Sequence, residues 1–298
     1  MPPRRVRTLL EGGSFFESPR WRDGRWWVSD FYRCTVSEVD PSGRARDVLT
    51  VEGSPSGLGW LPDGSLLVVS MRDRQILRWS DGALAVHADV GELCGGDLND
   101  MVVDRLGRAY AGNFGFDIGA GADPAPAALV RVDPDGRAHV AADGLEFPNG
   151  MVITPDGRTL IVGETAAGRY SAFTIEPDGT LRDRRVWAQV GPVPTRATLA
   201  GTIAQLQLGP DGCTLDAEGY IWSADVLGGR WVRLAPGGEI VEEIPAPEDL
   251  DAVACMLGGD DGRTLLLCAT PDALEGDPGR RDSVLVTTTV EVPHAGLP

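Results

Sequence analysis

LPDGSLLVVS, residues 61–70, joins a turn that ends in glycine to an apolar strand, and this phrase decides the fold. Asp-Gly pairs favour tight turns because glycine adopts the positive φ that such turns require. The phrase recurs, with variations, at residues 21–30, 61–70, 103–113, 153–164, 215–225 and 258–270. A sequence unit that returns along the chain indicates a fold built from repeated structural units.

The spacing of the phrases is typical of a β-propeller. Their turn glycines are Gly24, Gly64, Gly107, Gly157, Gly219 and Gly262. Most lie about 40–50 residues apart, and secondary turns leave room for four short strands in each unit, as in a propeller blade. The sequence therefore predicts an all-β fold, a six-bladed β-propeller that forms a single domain over residues 1–298. The N-terminal RRVRTLL and the C-terminal SVLVTTTVEV are expected to share one blade and close the ring.

Composition excludes several classes of protein. The chain has 27 arginines and no lysine, which excludes enzymes that need a Schiff-base or P-loop lysine. A net charge of −17 disfavours binding to nucleic acids or anionic membranes. No apolar run is long enough to span a membrane, and the five cysteines form no C-x-x-C pair. We therefore expect a cytoplasmic protein whose partner is a small molecule; its oligomeric state stays open.

Polar residues recur at one position of the predicted blades. The position lies eight residues before each turn glycine, or seven before it in the shorter first blade. It holds Glu17, Ser56, Asn99, Asn149, Asp211 and Ala254. Because the position begins the strand nearest the propeller axis, the four carboxylate and amide side chains are expected to converge in a central tunnel.

Converging carboxylate and amide oxygens are costly away from water unless a cation lies among them. Calcium accepts such ligands, and the lack of His or Cys at the position argues against a soft metal. The sequence predicts a central metal-binding tunnel with one divalent metal ion, Ca²⁺ first, with Zn²⁺, Mn²⁺ or Mg²⁺ as alternatives. The competing interpretation is that Asn and Asp only form turns where strands begin.

Four motifs resemble the gluconolactonase, senescence marker protein and regucalcin family (SMP-30-like). They are ESPRW at 17–21, LNDMVVD at 98–104, FPNGM at 147–151 and PDGCTLDAEGYIW at 210–222. The resemblance spans roughly residues 10 to 290 and implies a six-bladed propeller with one catalytic divalent metal that hydrolyses lactones. By this resemblance, Glu17, Asn149 and Asp211 would bind the metal, and Asp211 would also be the acid/base. Asn99 would lie beside metal and substrate.

Two features depart from the family's pattern. Where family members often carry an arginine that contacts a sugar acid, this chain has Asp97, and the family's acidic substrate contact corresponds most nearly to Asp117. Two acids at the tunnel mouth predict a neutral or cationic substrate. The long segment 191–209 is either an exposed excursion or a lid. As a lid, its apolar residues would favour a less polar molecule than a sugar lactone.

The sequence thus predicts a metal-dependent hydrolase of the gluconolactonase type. The cation would polarise a lactone carbonyl, and Asp211 or a metal-bound water would supply base or nucleophile. Alternatives are the same metal site acting on other esters or organophosphates, a non-hydrolytic isomerase or cyclase, and a propeller that only binds calcium or a protein. No G-x-S-x-G motif is present, which disfavours a Ser-His-Asp hydrolase.

Overall fold

The computed structural model describes residues 4–273 and 276–296, which form six antiparallel sheets of four strands each. The six-bladed, all-β propeller predicted from the sequence is confirmed. Of the domain predicted over residues 1–298, residues 1–3, 274–275 and 297–298 lie outside the described part.

Strands follow one another blade by blade, except that the first belongs to the last blade. That strand is β1 (Arg7–Gly13). Blade 1 contains β2 (Phe16–Arg22), β3 (Arg25–Asp30), β4 (Thr35–Val39) and β5 (Ala45–Thr50). Blade 2 contains β6 (Pro55–Trp60), β7 (Leu66–Ser70), β8 (Gln75–Ser80) and β9 (Ala83–Asp89). Blade 3 contains β10 (Leu98–Val103), β11 (Ala109–Asn113), β12 (Ala127–Val132) and β13 (Ala138–Leu145).

The second half of the propeller repeats the pattern. Blade 4 contains β14 (Pro148–Ile153), β15 (Thr159–Glu164), β16 (Arg169–Ile175) and β17 (Leu181–Gln189). Blade 5 contains β18 (Pro210–Leu215), β19 (Ile221–Asp225), β20 (Arg230–Leu234) and β21 (Ile240–Pro245). Blade 6 contains β22 (Asp251–Gly258), β23 (Thr264–Thr270), β24 (Ser283–Thr289) and β1.

Helical structure is limited to short pieces. Within the described residues these are the α-helix α1 (Leu199–Ile203) and two 3₁₀ turns, Gly91–Leu93 and Thr165–Ala167. In the same part of the chain, no helix has the length and apolar character needed to cross a membrane.

The first and last strands close the ring. β1 pairs antiparallel with β24, with Arg7 opposite Thr287 and Gly13 opposite Ser283. This pairing confirms that the N- and C-terminal segments share a blade. It also covers an edge of β24 that would otherwise offer unpaired backbone groups to another chain.

The six turn glycines join the first and second strands of their blades. Their φ angles lie between 71° and 88°, in the left-handed region that residues other than glycine rarely adopt. The recurring phrase of the sequence is therefore the tight turn at one end of the innermost hairpin in every blade.

The first strand of each blade lies innermost, since it contacts the first strands of both neighbouring blades. Each of these strands has a β-bulge near its beginning; in β14 the bulge lies between Pro148 and Met151. A bulge turns side chains out of the regular alternation and can aim them toward a site. In blade 6, Asp251 pairs with Thr270 at the strand end, so Ala252 rather than Ala254 is the counterpart of the polar residues.

The backbones of the inner strands β14 and β18 approach each other closely at Gly150. A Cβ atom there would lie 2.3 Å from the Asp211 carbonyl oxygen and 2.8 Å from the Cys213 backbone nitrogen. Both atoms belong to the backbone of β18, so the strands would have to separate. We expect Gly150→Ala to lower the free energy of unfolding by about 1–3 kcal/mol, measured by urea denaturation.

Gly91→Ala is the matched control, because its Cβ would meet only side-chain atoms of Asp89 and Arg74, at 3.3 Å and beyond. Its effect should stay within about 0.5 kcal/mol. Equal losses in the two variants would contradict the close approach of β14 and β18.

Candidate functional site

The polar residues of the inner strands meet in a cavity of about 580 Å³ at the end of the propeller where these strands begin. Glu17, Asn99, Asn149 and Asp211 all line it, and each has only 5–8 % of its surface exposed. The structure therefore brings together the four side chains that the repeat position indicated. Their individual roles stay predictions.

Asp97 and Asp117 line the same cavity, Asp117 exposed and Asp97 half-buried. Burial raises the pKa of Asp97; the charge of Arg72 opposes this rise, and the charge of Asp117 adds to it. Arg72 and Arg74 also line the cavity, and sequence reasoning missed both. They lie in the turn between β7 and β8, outside the repeated position, so no periodic signal marked them.

In blades 1, 4 and 5, a buried acid at the end of the second strand holds the backbone just before a site residue of the first strand. Asp30 accepts hydrogen bonds from the backbone nitrogens of Ser14 and Phe15, each at 3.0 Å, before Glu17. Glu164 accepts from the backbone nitrogen of Glu146 at 2.8 Å, before Asn149. Asp225 accepts from that of Gly209 at 2.9 Å, before Asp211. The inner strands therefore begin from rigidly held backbone.

A short hydrogen-bond chain orients the side chain of Asn149. The Thr165 hydroxyl donates to the Pro210 carbonyl at 2.6 Å, so it accepts from Asn149 Nδ2, which lies 3.2 Å away. This leaves Asn149 Oδ1 buried with no hydrogen-bond partner among the described residues. The amide oxygen is thereby directed away from Thr165 and is available to a ligand.

Glu17 and Asp211, the two carboxyl groups of the site, both lie in an environment that destabilises a negative charge. Burial, together with the charge of Asp100, raises the pKa of Asp211 to about 8, while the nearby polar groups of Gly212 and Asn149 oppose the rise. Burial also raises the pKa of Glu17 well above its usual range, with further contributions from Asp211 and Asp100. Like charges that share a buried site destabilise each other until one is neutralised.

Arg20 and Asp100 form a buried ion pair beneath the site, with 2.9 Å between Arg20 Nη2 and Asp100 Oδ1. Arg20 also donates to three backbone carbonyl groups, those of Pro19, Leu58 and Met101. The Ser18 hydroxyl contacts Glu17 Oε2 at 3.3 Å and Asp100 Oδ1 at 3.2 Å. Both members of the ion pair stand in motifs that the sequence analysis quoted, but neither occupies the repeated position.

The donor set fits a hard divalent cation. Glu17 and Asp211 supply carboxylates, and Asn149 Oδ1 lacks a partner. The amide of Asn99 also has its Nδ2 buried without a hydrogen-bond partner within the described residues. No three His, Cys, Asp or Glu side chains form a metal cluster in residues 4–273 and 276–296, so a cation here would depend on amide oxygens as well.

The segment 191–209 reaches this cavity. Leu199 and Ile203 of α1 line it, as does Leu206 just beyond the helix. Leu208 is fully buried and anchors the end of the segment before β18. The segment therefore forms part of the cavity wall.

Both the sequence and the fold of this chain are similar to those of known proteins. The sequence profile described as SMP-30/Gluconolactonase/LRE-like region matches residues 15–270. The 6-deoxy-6-sulfogluconolactonase of Pseudomonas putida is 26% identical over 85% of this chain and 82% of its own length. Pentonolactonase XacC of Haloferax volcanii is 26% identical over 95% of this chain and 92% of its own.

Two solved structures share the fold. A gluconolactonase from Xanthomonas campestris superimposes with a TM-score of 0.70 at 24% identity, covering 97% of this chain and 90% of its own. A calcium-binding protein, regucalcin, from Agrobacterium tumefaciens gives a TM-score of 0.78 at 21% identity, covering 99% and 97%.

The raised pKa of Asp211 predicts a pH-dependent stability in the presence of a chelator. Between about pH 4 and pH 8 the folded protein holds a proton that the unfolded chain, with an ordinary pKa of 3.8, has released. Raising the pH through this window should therefore destabilise the wild type relative to Asp211→Asn, by at most about 1.4 kcal/mol per pH unit. Denaturant unfolding of both proteins at several pH values measures this difference. A difference that stays constant would contradict the raised pKa.

Proposed function

Since the chain belongs to the SMP-30/gluconolactonase/LRE-like family, we propose that it is a lactonase, which opens a cyclic ester by adding water. The observation that carries the proposal is the buried group of two carboxyl and two amide side chains in one cavity. Two relatives at 26% identity are named as lactonases, which supports the same reaction class for this chain.

The proposal includes one divalent cation held by Glu17, Asn149 and Asp211. Calcium is the first expectation, because all donors are oxygen and one structural relative is described as calcium-binding. Zinc, manganese and magnesium are the alternatives. When bound, the cation supplies a Lewis acid that polarises the ester carbonyl.

The remaining chemistry is assigned to the chain's own residues. Asp211 takes the proton of the attacking water on a carboxylate oxygen, because it is a buried acid of raised pKa that lines the cavity with the two amide side chains. Asn99 donates a hydrogen bond to a substrate oxygen through its Nδ2 atom, which no described residue engages. Asp97 and Asp117 line the outer part of the cavity and contact substituents of the substrate.

The segment 191–209 is proposed as the cover of this cavity. Three of its apolar side chains share the cavity wall with Glu17 and Asp211, and Arg196 forms an ion pair with Glu146 beside β14. These contacts favour the lid over the exposed excursion.

Lactone hydrolysis tests the main proposal. Purified protein is assayed by acid release on a panel of sugar and alkyl lactones, with each of the four cations and with a chelator. We expect hydrolysis that the chelator abolishes. Asp211→Asn should lower kcat by at least about 100-fold, since it removes a proton acceptor and a charge.

Asp156→Asn is the matched control, because Asp156 is exposed and lines a different cavity. It should retain wild-type kcat. Full activity of Asp211→Asn would overturn its assigned role, and failure to hydrolyse any lactone with any of the four cations would overturn the reaction class.

The lid is tested with two substitutions in the same segment. Ile203→Asp places a charge in the cavity wall and should raise KM for the preferred uncharged lactone by about tenfold or more. Val193→Asp changes a side chain that is 64% exposed, outside the cavity wall, and should leave KM within about twofold. No change in either variant would support the exposed excursion instead.

A further inference from the structure

Phenylalanine is concentrated at the candidate site. The chain has seven phenylalanines, and five of them line the cavity: Phe15, Phe31, Phe114, Phe116 and Phe147. Tyr32 lines it as well. Residues of blades 1, 3 and 4 contribute these rings, although the cavity is only about 580 Å³ in volume.

The six rings form two clusters. In the first, Phe31 lies 4.5 Å from Tyr32 and 6.0 Å from Phe15, measured between ring centroids. In the second, Phe147 stacks on Phe114 at 4.6 Å with 21° between the planes and meets Phe116 edge-on at 6.1 Å. Both clusters line the cavity and the rings contact one another within each cluster.

Most of these rings are incompletely covered by the protein. Phe15, Phe31, Tyr32, Phe114 and Phe147 are half-buried, and only Phe116 is buried. When a ligand covers apolar surface that is open to a cavity, water is released and the free energy of binding becomes more favourable. Leu199, Ile203 and Leu206 extend the apolar wall from the side of the segment 191–209.

Phe147 has a backbone conformation that is unfavourable for a bulky side chain. Its φ angle is 61°, in the left-handed region that is rare for a bulky side chain. Its carbonyl accepts a hydrogen bond from the Thr165 backbone nitrogen at 3.0 Å, two residues before Asn149. Ser54 has the same conformation two residues before Ser56, so the backbone shape belongs to the repeat, and the bulky aromatic side chain is what distinguishes this position in blade 4.

With a divalent cation bound, the charged side chains of the cavity would leave no net charge to attract an ionic ligand. Glu17, Asp97, Asp117 and Asp211 face Arg72 and Arg74, and a divalent cation would balance the remaining two charges. The Arg72 guanidinium lies 5.4 Å from the centre of the Phe31 ring, over its face. Asp97 and Asp117 can accept hydrogen bonds from some hydroxyl groups of a sugar lactone, but the aromatic rings that form much of the wall provide no such partner.

Resting on the proposed lactonase function, we infer that the substrate is an uncharged lactone carrying an aromatic ring. The ring lies between the two aromatic clusters, with the ester directed toward Asp211. Phe114 and Phe147 are then specificity-determining residues, because the surfaces that the stacked pair leaves uncovered form one wall for that ring.

Three lactones with the same ester and different substituents test the inference: γ-butyrolactone, γ-phenyl-γ-butyrolactone and γ-cyclohexyl-γ-butyrolactone. Gluconolactone is added as the sugar substrate. In the presence of Ca²⁺ we expect kcat/KM for the phenyl compound to exceed that for each of the other three by tenfold or more. A preference for gluconolactone, or equal values for the phenyl and cyclohexyl compounds, would overturn the inference while leaving lactonase activity intact.

Two variants connect the preference to the clusters. Phe114→Leu and Phe147→Asn should each lower kcat/KM for the phenyl lactone, mainly through KM, by at least fivefold more than they lower kcat/KM for γ-butyrolactone. Asparagine tolerates the left-handed backbone, which offsets the loss of ring packing in Phe147→Asn, so Tm should stay within a few degrees of the wild type and thereby exclude misfolding as the cause. Equal losses for both lactones would contradict the inference.

Trp60→Leu is the matched control, because Trp60 is also a half-buried aromatic side chain. It lines a second cavity, at the opposite ends of the inner strands from the candidate site. Trp60→Leu should change neither kcat/KM for the phenyl lactone nor kcat/KM for γ-butyrolactone. If no lactone is hydrolysed, the lactonase proposal fails, and calorimetric titration with the phenyl and cyclohexyl lactones then tests separately whether the aromatic clusters prefer an aromatic ring. Tighter binding of the phenyl compound supports this preference, and equal or absent binding overturns it.

Discussion

Six inner strands meet around one axis, and the closeness of their backbones determines the rest of the structure. Gly57, Gly150 and Gly212 follow the polar-position residues of their strands directly, and a Cβ on any of them would come within 2.5 Å of an atom in the next inner strand. In these three strands the residue has to be small, while the bulge beside it directs the preceding side chain toward the cavity. Close packing and the convergence of polar groups therefore have the same origin.

Buried acids in this propeller differ in the donors that surround them. Although burial raises the pKa of Glu164, hydrogen bonds from Arg169 and Ser171 leave it below its usual value. The pKa of Asp211 instead rises to about 8, because few donors face it and Asp100 adds a like charge. Acids with full sets of donors hold backbone in place, and those without them are suited to binding or proton transfer.

Local patterns predicted the fold and part of the site. Turn glycines repeat because every blade uses the same tight turn, so counting from them located Asn99, Asn149 and Asp211. The count was two residues off in blade 6, where the bulge lies differently in the strand. Arg20, Arg72 and the aromatic clusters could not be found in this way, because they come together from turns and blades far apart in sequence.

Closure of the ring by β1 and β24 has a consequence for the newly made chain. Residues 7–13 leave the ribosome long before their partners at 283–289, and at roughly 5–20 residues per second the delay is on the order of tens of seconds. During that time blade 6 lacks three of its strands, and β1 is an unpaired segment. Pairing across some 280 residues must also overcome a large loop entropy, so this step is expected late in folding. Chaperones that shield exposed strands would act in this interval.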